Sequence, residues 1–239
     1  MHMTQTEQVI SAMRENGGFA TFGKLNKLLD FSSWKTKTPE ATIRRIVQDS
    51  PRFFKIKPGL WALTEFKDTV LNKFQLENAD EAQNNEFSHS YFQGLLVEIG
   101  NMKHLQTYIP NQDKNKLFLA RPLKDVASLK EIHDFTYPEI IGRAKTVDVV
   151  WFNERRLPDA FFEVEHSTNI EHSLAKFCEL QDFFTKFYIV ADEFRHKQFN
   201  KEMEKVIFKP IKERVDFVNY SNIEKQHTHM CKLSDIDVI

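Results

Sequence analysis

Three acidic side chains sit inside two short apolar runs of this 239-residue chain. Asp148 lies in Val147-Asp148-Val149-Val150-Trp151-Phe152, and Glu163 and Glu165 lie in Asp159-Ala160-Phe161-Phe162-Glu163-Val164-Glu165-His166. Runs rich in β-branched and aromatic residues, separated by a polar turn, read as two strands of a hairpin. Pairing that is symmetric about Arg155-Arg156 sets Asp148 opposite Glu163. Side chains alternate along a strand and cross-strand partners share a face, so Glu165 joins them and three carboxylates converge on one patch. A slip of one residue in the turn would break that alignment. Like charges so close are costly in apolar strands. Either the three lie on the solvent side of an exposed hairpin, or a cation joins them. No histidine or cysteine shares their face to draw zinc, and His166 has the opposite strand parity, which suits a core or supporting role. Oxygen ligands with room for water suit Mg²⁺, with Mn²⁺ able to replace it, and such an ion can activate water and stabilise charge on a phosphodiester.

Several elements must position this patch. Before it, residues 89–102 repeat apolar positions at Phe92, Leu95-Leu96 and Ile99, a helix that carries Glu98. Extended segments are expected at 105–109 and 117–119, a helix near 126–133 and a loop after it. Behind the patch, a helix over 170–184 and a buried strand over 187–191 make a strand, crossover helix, parallel strand unit of right-handed connection. Residues 193–197 and 201–205 read as mixed-charge helical surface. His227-Thr228-His229-Met230-Cys231, with Cys178 as a fourth candidate, matches no common zinc spacing and reads as a polar connection before a last strand.

The hairpin, the helix before it and the helix and strand after it resemble the PD-(D/E)xK superfamily, which includes type II restriction endonucleases, over roughly residues 88–195. Val147 to Trp151 is similar to its first acidic strand and Phe162 to Ser167 to its second. The resemblance implies a mixed β-sheet flanked by helices and Mg²⁺-dependent cleavage of duplex DNA. It also implies Asp148 and Glu163 as metal ligands, with the backbone carbonyl of Val164 as a further one. Glu165 stands where the superfamily usually has lysine, a departure that some restriction enzymes share. A further carboxylate often comes from the preceding helix, where Glu98 is the choice. Lys176, on the helix that follows, could supply the positive charge missing from the motif, or be a solvated surface lysine.

The first 64 residues read separately. A helix over 6–15 ends at Asn16-Gly17-Gly18, a second spans 21–29, and a third opens at Thr38-Pro39-Glu40, where Thr38 can cap and Pro39 suits the first turn. On the third helix Ile43, Ile46 and Val47 share a face, leaving Arg44 and Arg45 to meet solvent or phosphate. Strands at 52–56 and 60–63 are joined by Lys57-Pro58-Gly59. Three helices and a hairpin make a winged helix. Lys37 to Ile43, Phe53-Phe54-Lys55 and Gly59 to Leu63 resemble the HARE-HTH type of that fold. This resemblance implies DNA binding through the third helix by Arg44 and Arg45, with Lys55 and Lys57 on the wing. Winged helices also mediate protein contacts.

Charge supports the division. Residues 1–64 carry ten Lys or Arg against five Asp or Glu, within a chain of net charge −1. A basic module beside a more acidic one suggests that the first part meets a polyanion. The chain therefore reads as α/β: a winged helix at 1–64, a linker at 65–87 with helix as far as Phe74, and a restriction-endonuclease-like domain at 88–239. Two cysteines, no long apolar run and a polar start point to a cytoplasmic protein without membrane segments. Double-stranded DNA is the expected partner and a homodimer the expected route to cutting both strands. A DNA-binding regulator that has lost activity, and a repair or junction-resolving nuclease, are the alternatives.

Overall fold

The computed structural model describes residues 3–166 and 169–234. The chain divides into two units, Met1–Asp80 with Glu224–Ile239, and Glu81–Ile223.

In the first unit, α1 (Gln5–Glu15) starts at a complete capping box, in which Thr4 and Glu7 satisfy each other's backbone N–H groups. It ends where Gly17 and Gly18 both take positive φ. A short strand that hydropathy did not reveal follows, β1 (Phe19–Thr21), and then α2 (Phe22–Leu28), capped by the Thr21 hydroxyl. In α3 (Pro39–Asp49) Pro39 fills the first turn, but the Thr38 side chain makes no cap bond. β2 (Phe53–Lys57) and β3 (Leu60–Leu63) form the expected hairpin, closed by Gly59 at φ +78°. β1 adds to it antiparallel, in the order β1-β3-β2. Val9, Met13, Leu25, Ile43, Val47 and Leu63 pack as one core. α4 (Lys67–Lys73) follows, with Val70 buried.

The second unit opens with α5 (Glu81–Met102). It begins two turns before the apolar repeat that revealed it, because its first residues are hydrophilic and mostly exposed. Next come β4 (Gln106–Tyr108), the small hairpin of β5 (Leu117–Phe118) and β6 (Arg121–Pro122), and α6 (Pro138–Ala144). The helix expected near 126–133 is absent, and α6 stands where a loop was expected. Residues 128–129 bond to β4 instead: the Ser128 and Leu129 N–H groups donate to Thr107 Oγ1 and Thr107 O. A segment whose donors are taken by a neighbouring strand has none left for a helix.

β7 (Val149–Phe152), β8 (Pro158–Glu165), α7 (Ile170–Glu179), β9 (Lys186–Ala191), α8 (His196–Met203) and β10 (Val215–Asn219) complete a five-stranded sheet of order β10-β9-β8-β7-β4. β4, β7 and β8 pair antiparallel, whereas β8, β9 and β10 run parallel. The fold is mixed α/β with helices flanking a mixed sheet. Strand alternation divides the sheet's side chains: Val150, Phe152, Phe161 and Ile189 pack with Leu174 and Phe177 of α7, whereas Trp151 donates its indole N–H to the Leu96 carbonyl of α5. α7 ends five residues short of Phe184, where Arg214 takes the Phe183 and Gln181 carbonyls. Last, α9 (Tyr220–Leu233) contains His227 to Cys231, so the expected polar connection is helical. A strand after it would lie outside the described residues.

Candidate active site

Everything at the site depends on the β7/β8 register. Val149 faces Phe162, Val150 faces Phe161 and Trp151 faces Ala160, the pairing that symmetry about Arg155-Arg156 requires. A bulge shifts the register only at Phe152, on the turn side. Asp148 directly precedes β7, and its Oδ2 accepts the Val164 N–H at 2.7 Å. Asp148 is 8% exposed and Glu163 and Glu165 are 3% exposed each, so the patch is buried and not the solvent face of a hairpin. The three line one cleft of about 300 Å³ together with Val164, His166 and Lys176. Ser167 lies outside the described residues.

Helix α7 answers two of these carboxylates. Lys176 Nζ stands 2.9 Å from both oxygens of Glu163 and donates also to the Thr146 carbonyl at 3.2 Å. Ser173, one turn earlier, donates toward Glu163 Oε2 at 3.1 Å and lies against Glu165 Oε1. Residues three apart on a helix share a face, which is why one helix reaches both acids. Arg195, read from sequence as surface, is instead buried with its guanidinium 3.7 Å from Glu165 Oε2. Its run looked solvated because five of the six residues 193–198 are polar or charged and nothing in that pattern marks the one that turns inward. The Glu165 carbonyl accepts from Tyr220 Oη at 3.0 Å, and His166 contacts the same hydroxyl. His166 thus borders the cleft despite its strand parity, since it lies beyond the end of β8.

Glu98 is not among the residues that line the cleft. It pairs with Arg121 at 3.0 Å, away from the cleft. α5 reaches the cleft nine residues earlier, at His89, and at 1.5 Å per residue that is about 14 Å along the helix axis. His89 Nε2 lies 3.4 Å from Asp148 Oδ1 and 3.9 Å from Asp113 Oδ2. Lys116 holds Asp113 Oδ1 at 2.8 Å. The expectation that no histidine neighbours the acids is therefore corrected by a helix outside the hairpin.

These contacts set the protonation balance. Burial, then Asp148, push the Glu163 carboxyl well above the usual range, against the pull of Lys176. Burial also raises Glu165, with Ser173 opposing and Asp148 adding. For His89 burial alone would depress the imidazole, but Asp148 and Asp113 together lift it above its ordinary value.

Among the residues expected to meet DNA, Arg44 is already engaged. Its Nη1 and Nη2 bond the two oxygens of Glu224 at 3.1 and 2.7 Å, and its guanidinium lies 4.2 Å over the Phe22 ring. The acid is 180 residues away, so no local pattern could show it. Arg45 and Lys55 are exposed. Lys57 is half-buried and its ammonium is depressed by that burial.

Sequence reasoning missed His89, Asp113, Ser173 and Arg195. Ser173 could have been found from its spacing to Lys176, whereas Asp113 lies in an irregular segment with no periodic signal.

Comparison with known proteins points the same way. The family model for the type II restriction enzyme NmeDI C-terminal domain matches residues 69–239. Type II restriction enzyme NmeDI of Neisseria meningitidis serogroup C is 29% identical over 153 residues, covering 59% of this chain and 42% of that protein. The chain thus spans about two fifths of the length of the curated relative that it matches. No solved structure matches.

Proposed function

The chain belongs to the type II restriction enzyme NmeDI C-terminal domain family, and from that membership and its cleft we propose that it is a divalent-metal-dependent endonuclease acting on duplex DNA. One observation carries this reading: Asp148, Glu163 and Glu165 are buried together against a helix that brings Lys176 to Glu163. The donor set fits a divalent ion. Within the cleft Asp148, Glu163 and Glu165 present carboxylate oxygens, with Lys176 against Glu163 and Arg195 near Glu165. Asp148, Glu163 and the Val164 carbonyl would hold Mg²⁺ or Mn²⁺. When bound, such an ion lowers the pKa of water and offsets charge on a phosphodiester.

The chain's own groups do the rest. Lys176 replaces, from α7, the lysine that the strand lacks, and there it can neutralise a phosphate oxygen while keeping Glu163 ionised. Glu165, between Ser173 and Arg195, is placed to orient the attacking water by accepting its proton in a hydrogen bond. Glu98 has no role in this scheme.

The residues before 69 lie outside the family match. We read residues 1–64 as a winged-helix DNA-binding domain, on the strength of α1 to α3 followed by the β2/β3 hairpin and of its basic balance. Arg45 and Lys55 are its exposed candidates for phosphate, with Lys57 beside the turn and Arg44 held back by Glu224. A homodimer would supply the second site that cutting both strands needs.

Incubation of the full chain with supercoiled plasmid tests the proposal. Relaxed or linear product should form with Mg²⁺ or Mn²⁺ and none in excess EDTA. Intact plasmid at every divalent ion tried, with DNA still bound, would make the chain a DNA-binding regulator instead.

A further inference from the structure

Helix α9 carries a buried acid that the cleft does not use. The two oxygens of Glu224 face Nη1 and Nη2 of Arg44 at 3.1 and 2.7 Å. Thr228, one turn later, donates to Glu224 Oε1 at 2.9 Å and holds the carboxylate in place. The backbone leaves room for this acid, since a β-carbon on Gly59, in the turn between β2 and β3, would overlap Glu224 Cγ. The rest of the helix is seated as closely. Gly23 of α2 leaves the space that Cys231 Sγ fills, Lys27 of α2 donates to Ser234 Oγ at 3.1 Å, and Lys232 pairs with Glu40 of α3 at 2.9 Å. From Glu224 onward α9 is therefore built against α2, α3 and the hairpin turn, all within the first unit.

Two properties of the Arg44–Glu224 pair bear on ligand binding. A guanidinium grips a carboxylate and a phosphate through the same fork of N–H groups, so an acid that bonds both terminal nitrogens occupies the place a phosphodiester would take. The guanidinium is also not sealed in: the Arg44 side chain is 31% exposed, against 7% for Glu224. Its donors are committed to an acid while the side chain stays within reach of solvent. In helix-turn-helix modules the second helix of the pair enters the groove and the first crosses the backbone. Here those helices are α3 and α2, the two that α9 contacts.

We propose that Arg44 is a masked phosphate-binding residue, with Glu224 as the internal stand-in for a DNA phosphate. While the pair is closed, α9 withholds one cationic contact from the first unit, which meets DNA with its exposed cations only. The contact inhibits because opening it is costly. A phosphate must displace a carboxylate that Thr228 already holds, whereas at the exposed Arg45 it displaces only water and counterions. The proposal rests on the reading of residues 1–64 as a DNA-binding domain and is independent of the cleft.

The test measures binding of the full chain to a linear duplex, in EDTA, at salt concentrations from about 50 to 200 mM. Glu224→Gln keeps the shape of the side chain and removes its charge. It should bind more tightly than the wild type, with a slope of log affinity against log salt steeper by about 0.9, the value of one phosphate contact, so that its advantage shrinks about 3.5-fold across that range. Adding Arg44→Ala should abolish the gain, and Arg44→Ala alone should leave the slope at its wild-type value. Glu15→Gln, which removes an exposed acid of the same unit, should not steepen the slope. Should Glu224→Gln misfold by circular dichroism, Thr228→Val, which releases Glu224 Oε1, should steepen the slope part of the way. An unchanged slope in whichever variant folds, or a gain that survives Arg44→Ala, overturns the proposal. Failure of the underlying reading looks different: Arg45→Ala then leaves the slope unchanged as well, whereas it lowers the slope if only the proposal fails.

Discussion

At the scale of single residues, the cleft is a contest between burial and charge. Glu163, Glu165 and His89 all have pKa values raised in the folded protein. A group raised on folding binds a proton more tightly in the native state, so stability falls as pH rises from the unfolded value through the folded one. The contribution of Glu163 to the stability of the metal-free protein should therefore be lost from the ordinary carboxylate range upward, so that Glu163→Gln gains on the wild type as pH rises. Melting curves of the two proteins across pH check this, and a difference between them that does not move in that direction over the window would contradict it. The same shifts bear on cutting. Cleavage should fail on acidification at a pH above the ordinary carboxylate range, because protons and metal compete for raised carboxylates. Lys176→Ala should lower kcat by roughly 10²-fold or more if it stabilises transition-state charge, whereas a lysine that merely covers Glu163 would leave kcat nearly unchanged.

At the scale of elements, α9 takes one arginine of α3 and leaves its neighbour exposed. Arg44 is pinned by Glu224, itself held by Thr228, so Arg44→Ala should cost stability by about 1.5–3 kcal/mol, the range for hydrogen bonds to charged groups. Arg45→Ala should leave the melting temperature nearly alone. If residues 1–64 bind DNA as proposed, it should weaken binding and reduce the slope of log affinity against log salt by about 1. Denaturation and binding at several salt concentrations separate the two. Equal effects on DNA binding would mean that Glu224 releases Arg44 when DNA arrives. This division was not legible in sequence, because it joins residues 180 apart. What was legible is local. Alternation and turn symmetry placed Asp148 opposite Glu163, and an apolar helix between two apolar strands announced β8-α7-β9. Residues 126–133 misled because their donors are consumed by Thr107 rather than by their own helix. Asp113 and Arg195 were hidden because only tertiary packing turns them toward the acids.

At the scale of the whole molecule, the family match begins at residue 69 and runs to the end. Most of the first unit precedes it, although Glu224–Ile239 of that unit lie within it. Among the described residues no helix is long and apolar enough to cross a membrane. The central claim is that the buried acids of one cleft cut DNA through a divalent ion, and the most direct measurement compares cutting with binding in isosteric variants. Asp148→Asn and Glu163→Gln should each reduce Mg²⁺-dependent plasmid cleavage by at least about 10³-fold, a loss of about 4 kcal/mol of transition-state stabilisation, while a gel-shift affinity for the same DNA stays within a few-fold of wild type. Cleavage by both variants at the wild-type rate, or cleavage by the wild type that persists in excess EDTA, would contradict the account.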